Sequence, residues 1–171
     1  AALNVAAAKC RSVESAADEI VLAADTLVVI DGEVLGKPAN ATDAHAMLSR
    51  LRGRPHQVLT GVALRSADQR QWGAVVSTSV FIRAYQDKEV AAYVERGEPF
   101  DKAGGYAIQD TDFRPVENVA GCYLNVVGLP LCAVGAGLAA LGVDSARADD
   151  LRPPCSFCRT GGPLVAIRST S

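Results

Sequence analysis

The sequence predicts an α/β domain built on a mixed sheet. Apolar runs of strand length alternate with stretches whose apolar residues recur at helical spacing. At least two of the strands read as a hairpin pair, which a purely parallel sheet would not contain. The chain has 171 residues, 49% hydrophobic and 21% charged, enough for one domain with a sizeable core.

Leu3, Ala7, Cys10 and Val13 recur at helical spacing, so the first element is a helix, and it begins without a capping residue. IVLAADTLVVI, residues 20–30, is a strand, and Asp31-Gly32 is a hairpin signal before a second short strand. In GKPANATDAHAMLSRLRG, Thr42 is the expected N-cap, Ala44, Leu48 and Leu51 share one face, and Gly53 is the stop. HQVLTGVALR and AVVSTSVFIRAY are two strands that can pair antiparallel around the polar stretch 68–71. Asp87 caps a helix that runs through Arg96 to Gly97, with Val90 and Val94 inward. GEPFDKAGGYAIQD is a glycine-rich loop leading into a short strand, and GCYLNVVGLPL is a strand and turn. Pro130 suits the first turn of a last helix, striped by Leu131, Val134, Leu138 and Leu141. After Asp144 the chain turns to Pro, Gly and Ser with little periodicity. The expected division is a domain over 1–144 and a flexible tail over 145–171.

A net charge of -2 supplies no global basic field, which argues against a nucleic-acid partner, and Arg50, Arg52 and Arg54 form only a mild basic cluster. No apolar run approaches membrane-spanning length, so no membrane partner is expected. The opening residues have neither the basic region nor the apolar core of a signal peptide. Of five cysteines only Cys155 and Cys158 lie close together, and the expected compartment is the reducing cytoplasm.

Asp25 poses the sharpest question, because it interrupts an apolar run and burying an unpaired charge is costly. It is either a solvated carboxylate between two strands or a metal ligand or general base. Lys37, in GKP, can fold back toward the Asp25 end, or it is plain surface. Lys102, in FDKAGGY, adjoins glycines that let backbone amides approach a ligand closely. Lysines neutralise phosphate charge, while a carboxylate holds Mg²⁺ or orients water, so together these residues suit a polyphosphate. No Walker-type or dinucleotide fingerprint accompanies them. Gln109 offers the donor and acceptors needed to read a pyrimidine edge, or is an exposed strand end. Tyr106 and Tyr123 either stack on a base or fill a core. Cys155 and Cys158 make a lone CxxC, an incidental pair unless Cys10, Cys122, Cys132, His45 or His56 complete a zinc site. His45 and His56 read as ordinary residues.

Four blocks, AADTLVVIDGEVLGKP, LRGRPHQVLTGVAL, YVERGEPFDKAGGYAIQD and VENVAGCYLNVVGLPL, resemble the Maf family of nucleoside triphosphate pyrophosphatases in order and spacing, over roughly 3–142. The resemblance implies a long sheet with two lobes around a cleft, distantly similar to the inosine-triphosphate pyrophosphatases. It implies hydrolysis of a nucleoside triphosphate to the monophosphate and pyrophosphate with a divalent metal, usually Mg²⁺, and a homodimer. It makes Asp25 the catalytic proton acceptor and metal ligand, and Lys37 and Lys102 the phosphate-facing lysines. Thr26 and Gln109 match positions of base choice, and their Ala-Asp-Thr and Ile-Gln settings look like the dTTP and UTP branch rather than the 7-methyl-GTP branch.

Family members begin with a strand, a Ser-x-Ser-Pro-Arg-Arg loop and a later acidic residue. Residues 1–171 contain none of these and start at the helix that follows them. The expectation is an N-terminally incomplete domain, whether a fragment, a misread gene start or a degenerate member, with weak or absent turnover. The alternatives are a non-catalytic nucleotide-binding regulator linked to cell division and septum formation, and a 7-methyl-GTP-type pyrophosphatase.

Overall fold

The computed structural model describes residues 1–143 and the strand 165–168. In chain order, α1 is Ala2–Ser12, β1 Ile20–Ile30, β2 Glu33–Leu35, α2 Ala41–Leu51, β3 Pro55–Ser66 and β4 Gln71–Ile82. Then come α3 Asp87–Glu95, a 3₁₀ turn Ala103–Gly105, β5 Val116–Ala120, α4 Tyr123–Val127, α5 Leu131–Ala140 and β6 Val165–Arg168.

The strands form one sheet in the order β2-β1-β3-β4-β5, and β6 pairs with β4. The predicted α/β architecture of a sheet flanked by helices is present, and its five-strand path is antiparallel. Short turns account for the β1–β2 and β3–β4 pairs, since a short turn can join only antiparallel neighbours, whereas β1 and β3, and β4 and β5, are joined through helical segments. Asp31 and Gly32, at φ 54 and 79, make the left-handed turn that a tight hairpin needs between β1 and β2. At the β3–β4 turn, Ser66 N donates to Arg70 O at 3.0 Å. Along β4, Trp72–Val75 pairs with β6 and Ser79–Ile82 pairs with β5.

The chain forms two compact units, one of Ala1–Thr26, Leu59–Ser77 and Gly121–Ser171, the other of Leu27–Val58 and Thr78–Ala120. In the first, α1 buries only small residues, Ala2, Ala6 and Cys10. They face β3 at Gly61, where an added Cβ would lie 2.5 Å from Leu3 Cα, so the helix backbone rests directly on the strand. A second cluster in the same unit joins Val62, Leu64, Trp72, Val76, Ala133 and Val134. In the second unit, Phe113 stacks on Tyr93 at 4.4 Å and meets Tyr85 at 4.8 Å, and Tyr85 Oη donates to Leu48 O at 2.6 Å. The basic cluster is absorbed there: Arg50 pairs with Glu33, Arg52 with Asp87 and Arg54 with Asp31.

Several local expectations shift. In α1, Cys10 is buried and Leu3 and Ala7 pack partly buried beside it, as their spacing predicts; Ala2 and Ala6 join that face, while Val13 is the C-cap and exposed. The cap of α2 is Asn40, which accepts from Asp43 N at 2.9 Å, and Thr42 already lies inside the helix. The cap of α3 is Gln86, in a capping box with Glu89. No strand starts directly after the 3₁₀ turn, over 106–113; the Asp110 carboxylate accepts from Asp112 N and Phe113 N and bends the chain instead. The strand expected around Cys122 is α4, and β5 precedes it. In α5 the predicted stripe holds at Val134 and Leu141, which are buried, and at Leu138, which packs partly covered against the same core; Ala133 and Gly137 are buried with them. Cys155 and Cys158 lie outside the described residues, as does most of the expected tail, of which 165–168 forms β6. Among the described residues no helix is long and apolar enough to cross a membrane.

Candidate active site

The carboxylate that interrupts the apolar run has a partner that sequence reasoning missed. Lys9, in the last turn of α1, donates from Nζ to Asp25 Oδ1 at 2.7 Å and to Ala24 O at 3.4 Å. The Asp25 side chain is 19% exposed and that of Lys9 53%. The pair explains how the strand tolerates the charge: Asp25 shares its face with Val21 and Ala23, which pack against α1. A cation in the last helical turn also meets the negative end of the helix dipole, and that was the only local signal Lys9 offered.

Thr26 leaves the opposite face of β1. Its Oγ1 lies 2.9 Å from Thr60 Oγ1, and Thr60 donates to Asn125 O at 3.1 Å. Thr60 and Asn125 are fully buried, whereas Thr26 is half-buried. The pairing of β2 with β1 stops at Val28. At Asp25 and Thr26 that edge of β1 therefore carries no strand among the described residues.

The second unit holds Lys37, Lys102 and Gln109. Gly104 N donates to Gly36 O at 2.9 Å, which sets the 3₁₀ turn beside the segment that carries Lys37. A Cβ at Gly104 would come within 3.0 Å of Val28 and its φ is +71, so only glycine fits there easily. Lys102 Nζ donates to Asp101 at 2.6 Å, to Glu98 O at 2.7 Å and to the Glu98 carboxylate at 3.4 Å. Burial pulls the Lys102 ammonium down, but Asp101 and Glu98 outweigh it and hold its pKa above the usual lysine value. The Asp101 carboxyl sits below its usual range, chiefly through the Lys102 hydrogen bond and in part through the charge of Lys37. Lys37 is exposed, and so is Gln109, in the turn before Asp110.

His56, read as ordinary, is 3% exposed, and its Nε2 lies 2.7 Å from Tyr106 Oη. Tyr106 is thereby a core residue that anchors the end of the lysine loop, while Tyr123 is exposed. Burial lowers the His56 pKa to about 4. The unfolded chain takes this proton first, near the ordinary histidine value of roughly 6.5. The contribution of neutral His56 is therefore complete above that pH and lost as pH falls toward 4. The expected loss is about 3 kcal/mol. Urea midpoints measured from pH 7 to pH 4.5 should fall, and His56→Gln should flatten that slope.

Among the described residues no group of three His, Cys, Asp or Glu side chains could hold a metal by itself. Asp25 alone fits Mg²⁺, which typically takes one or two carboxylates, waters and substrate phosphates rather than an all-protein cage. Lys9 engages Oδ1, and Oδ2 has no hydrogen-bond partner among the described residues.

The model of the Maf-like protein family matches residues 1–141. A dTTP/UTP pyrophosphatase of Thermomicrobium roseum is 50% identical over 153 residues, which cover 88% of this chain and 68% of the relative. One of Dehalococcoides mccartyi is 43% identical over 82% of this chain and 64% of its own length. One of Citrifermentans bemidjiense is 47% identical over 75% and 67%. The chain thus spans about two thirds of the length of these relatives. With a family match over nearly all the described residues, and half the positions of one relative's aligned stretch identical, the chain belongs to the Maf family.

Proposed function

We propose that the chain is a nucleoside triphosphate pyrophosphatase that cleaves dTTP and UTP to the monophosphate and pyrophosphate. The observation that carries the reading is the Lys9-bound carboxylate of Asp25 on a strand edge, in a chain whose relatives bear the name dTTP/UTP pyrophosphatase. Asp25 would hold Mg²⁺ through its carboxylate, and the ion would offset charge on the phosphate oxygens. The same carboxylate orients the attacking water and accepts its proton. Lys37 and Lys102 balance the charge of the departing pyrophosphate, Lys102 by exchanging Asp101 and Glu98 for phosphate oxygens. Thr26 and Gln109 meet the base. A cytoplasmic setting and a homodimer belong to the same proposal.

Pyrophosphate release is the test, from dTTP, UTP, 7-methyl-GTP and dATP, with Mg²⁺ and with EDTA. The expected result is release from dTTP and UTP that EDTA abolishes. The assay runs on residues 1–171 and on the same chain with the family's first strand and arginine loop supplied ahead of Ala1. Each arginine contact is worth about 3 kcal/mol by analogy with a single oxyanion donor. The extended chain should therefore be faster by several powers of ten. Silence from both chains would sink the reading.

A further inference from the structure

Thr60 is buried where water does not reach, with 0% exposure. Its hydroxyl has one proton and two oxygen neighbours, Asn125 O at 3.1 Å and Thr26 Oγ1 at 2.9 Å. Asn125 O can only accept, and it is held in place because Gly128 N donates to it at 3.1 Å. The Thr60 proton is therefore spent on Asn125 O. Thr26 must then donate to Thr60, since otherwise two oxygen lone pairs would face each other in a buried site. With its proton turned inward, Thr26 offers a ligand only lone pairs. Gly128 lies beside it: a Cβ there would sit 3.6 Å from Thr26 Oγ1, at van der Waals contact.

We propose that Thr60 is a positioning residue for base choice: by fixing the direction of the Thr26 hydroxyl, it makes Thr26 an acceptor for the N3–H of uracil and thymine and a poor neighbour for cytosine. Cytosine carries a lone pair at N3 where the other two bases carry a proton. This rests on the proposed reading that Thr26 meets the base.

The test is the dissociation constants of α,β-imido-UTP and α,β-imido-CTP with Mg²⁺, measured by calorimetry on wild type, Thr60→Val and Thr60→Ser. The wild type should prefer the uracil compound on the order of tenfold, the scale of one hydrogen bond. Thr60→Val keeps the shape, removes the hydroxyl and frees Thr26 to turn its proton outward, so the preference should fall toward one. Thr60→Ser should restore it. A purely structural role would weaken both ligands together and leave the ratio intact. Should Thr60→Val not fold, N3-methyl-UTP on the wild type serves instead, and it should bind at least tenfold more weakly than UTP. A uracil preference that survives Thr60→Val, or equal binding of N3-methyl-UTP, overturns this inference alone. A wild type that binds no pyrimidine triphosphate overturns the pyrophosphatase reading and this inference with it.

Discussion

Asp25→Asn should lower pyrophosphate release from dTTP by two to three powers of ten or more, with little change in the urea midpoint. The amide has the size of the carboxylate but neither its charge nor its basicity. It can neither accept the water's proton nor anchor a divalent cation, and a single electrostatic contact of this kind is worth about 3–4 kcal/mol in the transition state. The stability cost is small because Lys9, the partner left behind, is 53% exposed and hydrated. An ion pair with one exposed member contributes about 1 kcal/mol or less. Because the lost interaction grows in the transition state, kcat should fall and KM should barely move. A variant within tenfold of wild type would remove Asp25 from the chemistry and leave it a structural partner of α1.

The parts of this molecule that were legible in the sequence are those specified locally. The Asp31-Gly32 turn needs two left-handed residues in a row, and few dipeptides supply them. Ala44, Leu48 and Leu51 are all fully buried because a helix can hide only one face. Asp25 was conspicuous for the opposite reason, as a charge in a run that packs. Its partner was not legible. Lys9 stands sixteen residues away on another element, and only the packing of α1 on β3 brings it near. Thr60 was equally silent, since a threonine in a β-strand raises no question until its hydroxyl is found between two oxygens. The burial of Ala2 and Ala6 in α1 was silent for the same reason. Periodicity picks out Leu3, Ala7 and Cys10, whereas the burial of Ala2 and Ala6 follows from Gly61, which lets the helix backbone at Leu3 rest on the strand. The 3₁₀ turn was misread past its end because Asp110 bends the chain through its own side chain, which the strand-like composition of YAI conceals.

That close approach makes the second large effect. Gly61→Ala should destabilise the chain by about 3 kcal/mol or more, at the upper end of overpacking costs. Gly73→Ala, on the neighbouring strand, should cost only about 1 kcal/mol. The difference lies in what each new methyl group meets. At Gly61 it meets the backbone of Leu3, with Cα 2.5 Å away, and a helix backbone cannot yield without moving all of α1. At Gly73 the nearest atom is Leu3 Cδ1 at 2.9 Å, the end of a side chain that can rotate away. Urea midpoints of the two variants measure the contrast, and equal losses would show that α1 floats on β3 rather than resting on it. The consequence reaches the site, because α1 carries Lys9. A helix lifted by even an ångström breaks a 2.7 Å ion pair, and Asp25 then keeps its place on β1 without the cation that fixes its orientation. Gly61→Ala, assayed well below its unfolding midpoint, should therefore lose turnover on dTTP while Gly73→Ala keeps it. If both variants retain full turnover despite a large stability loss at Gly61, Lys9 makes a stabilising contact only, and Asp25 does not depend on α1 for its geometry.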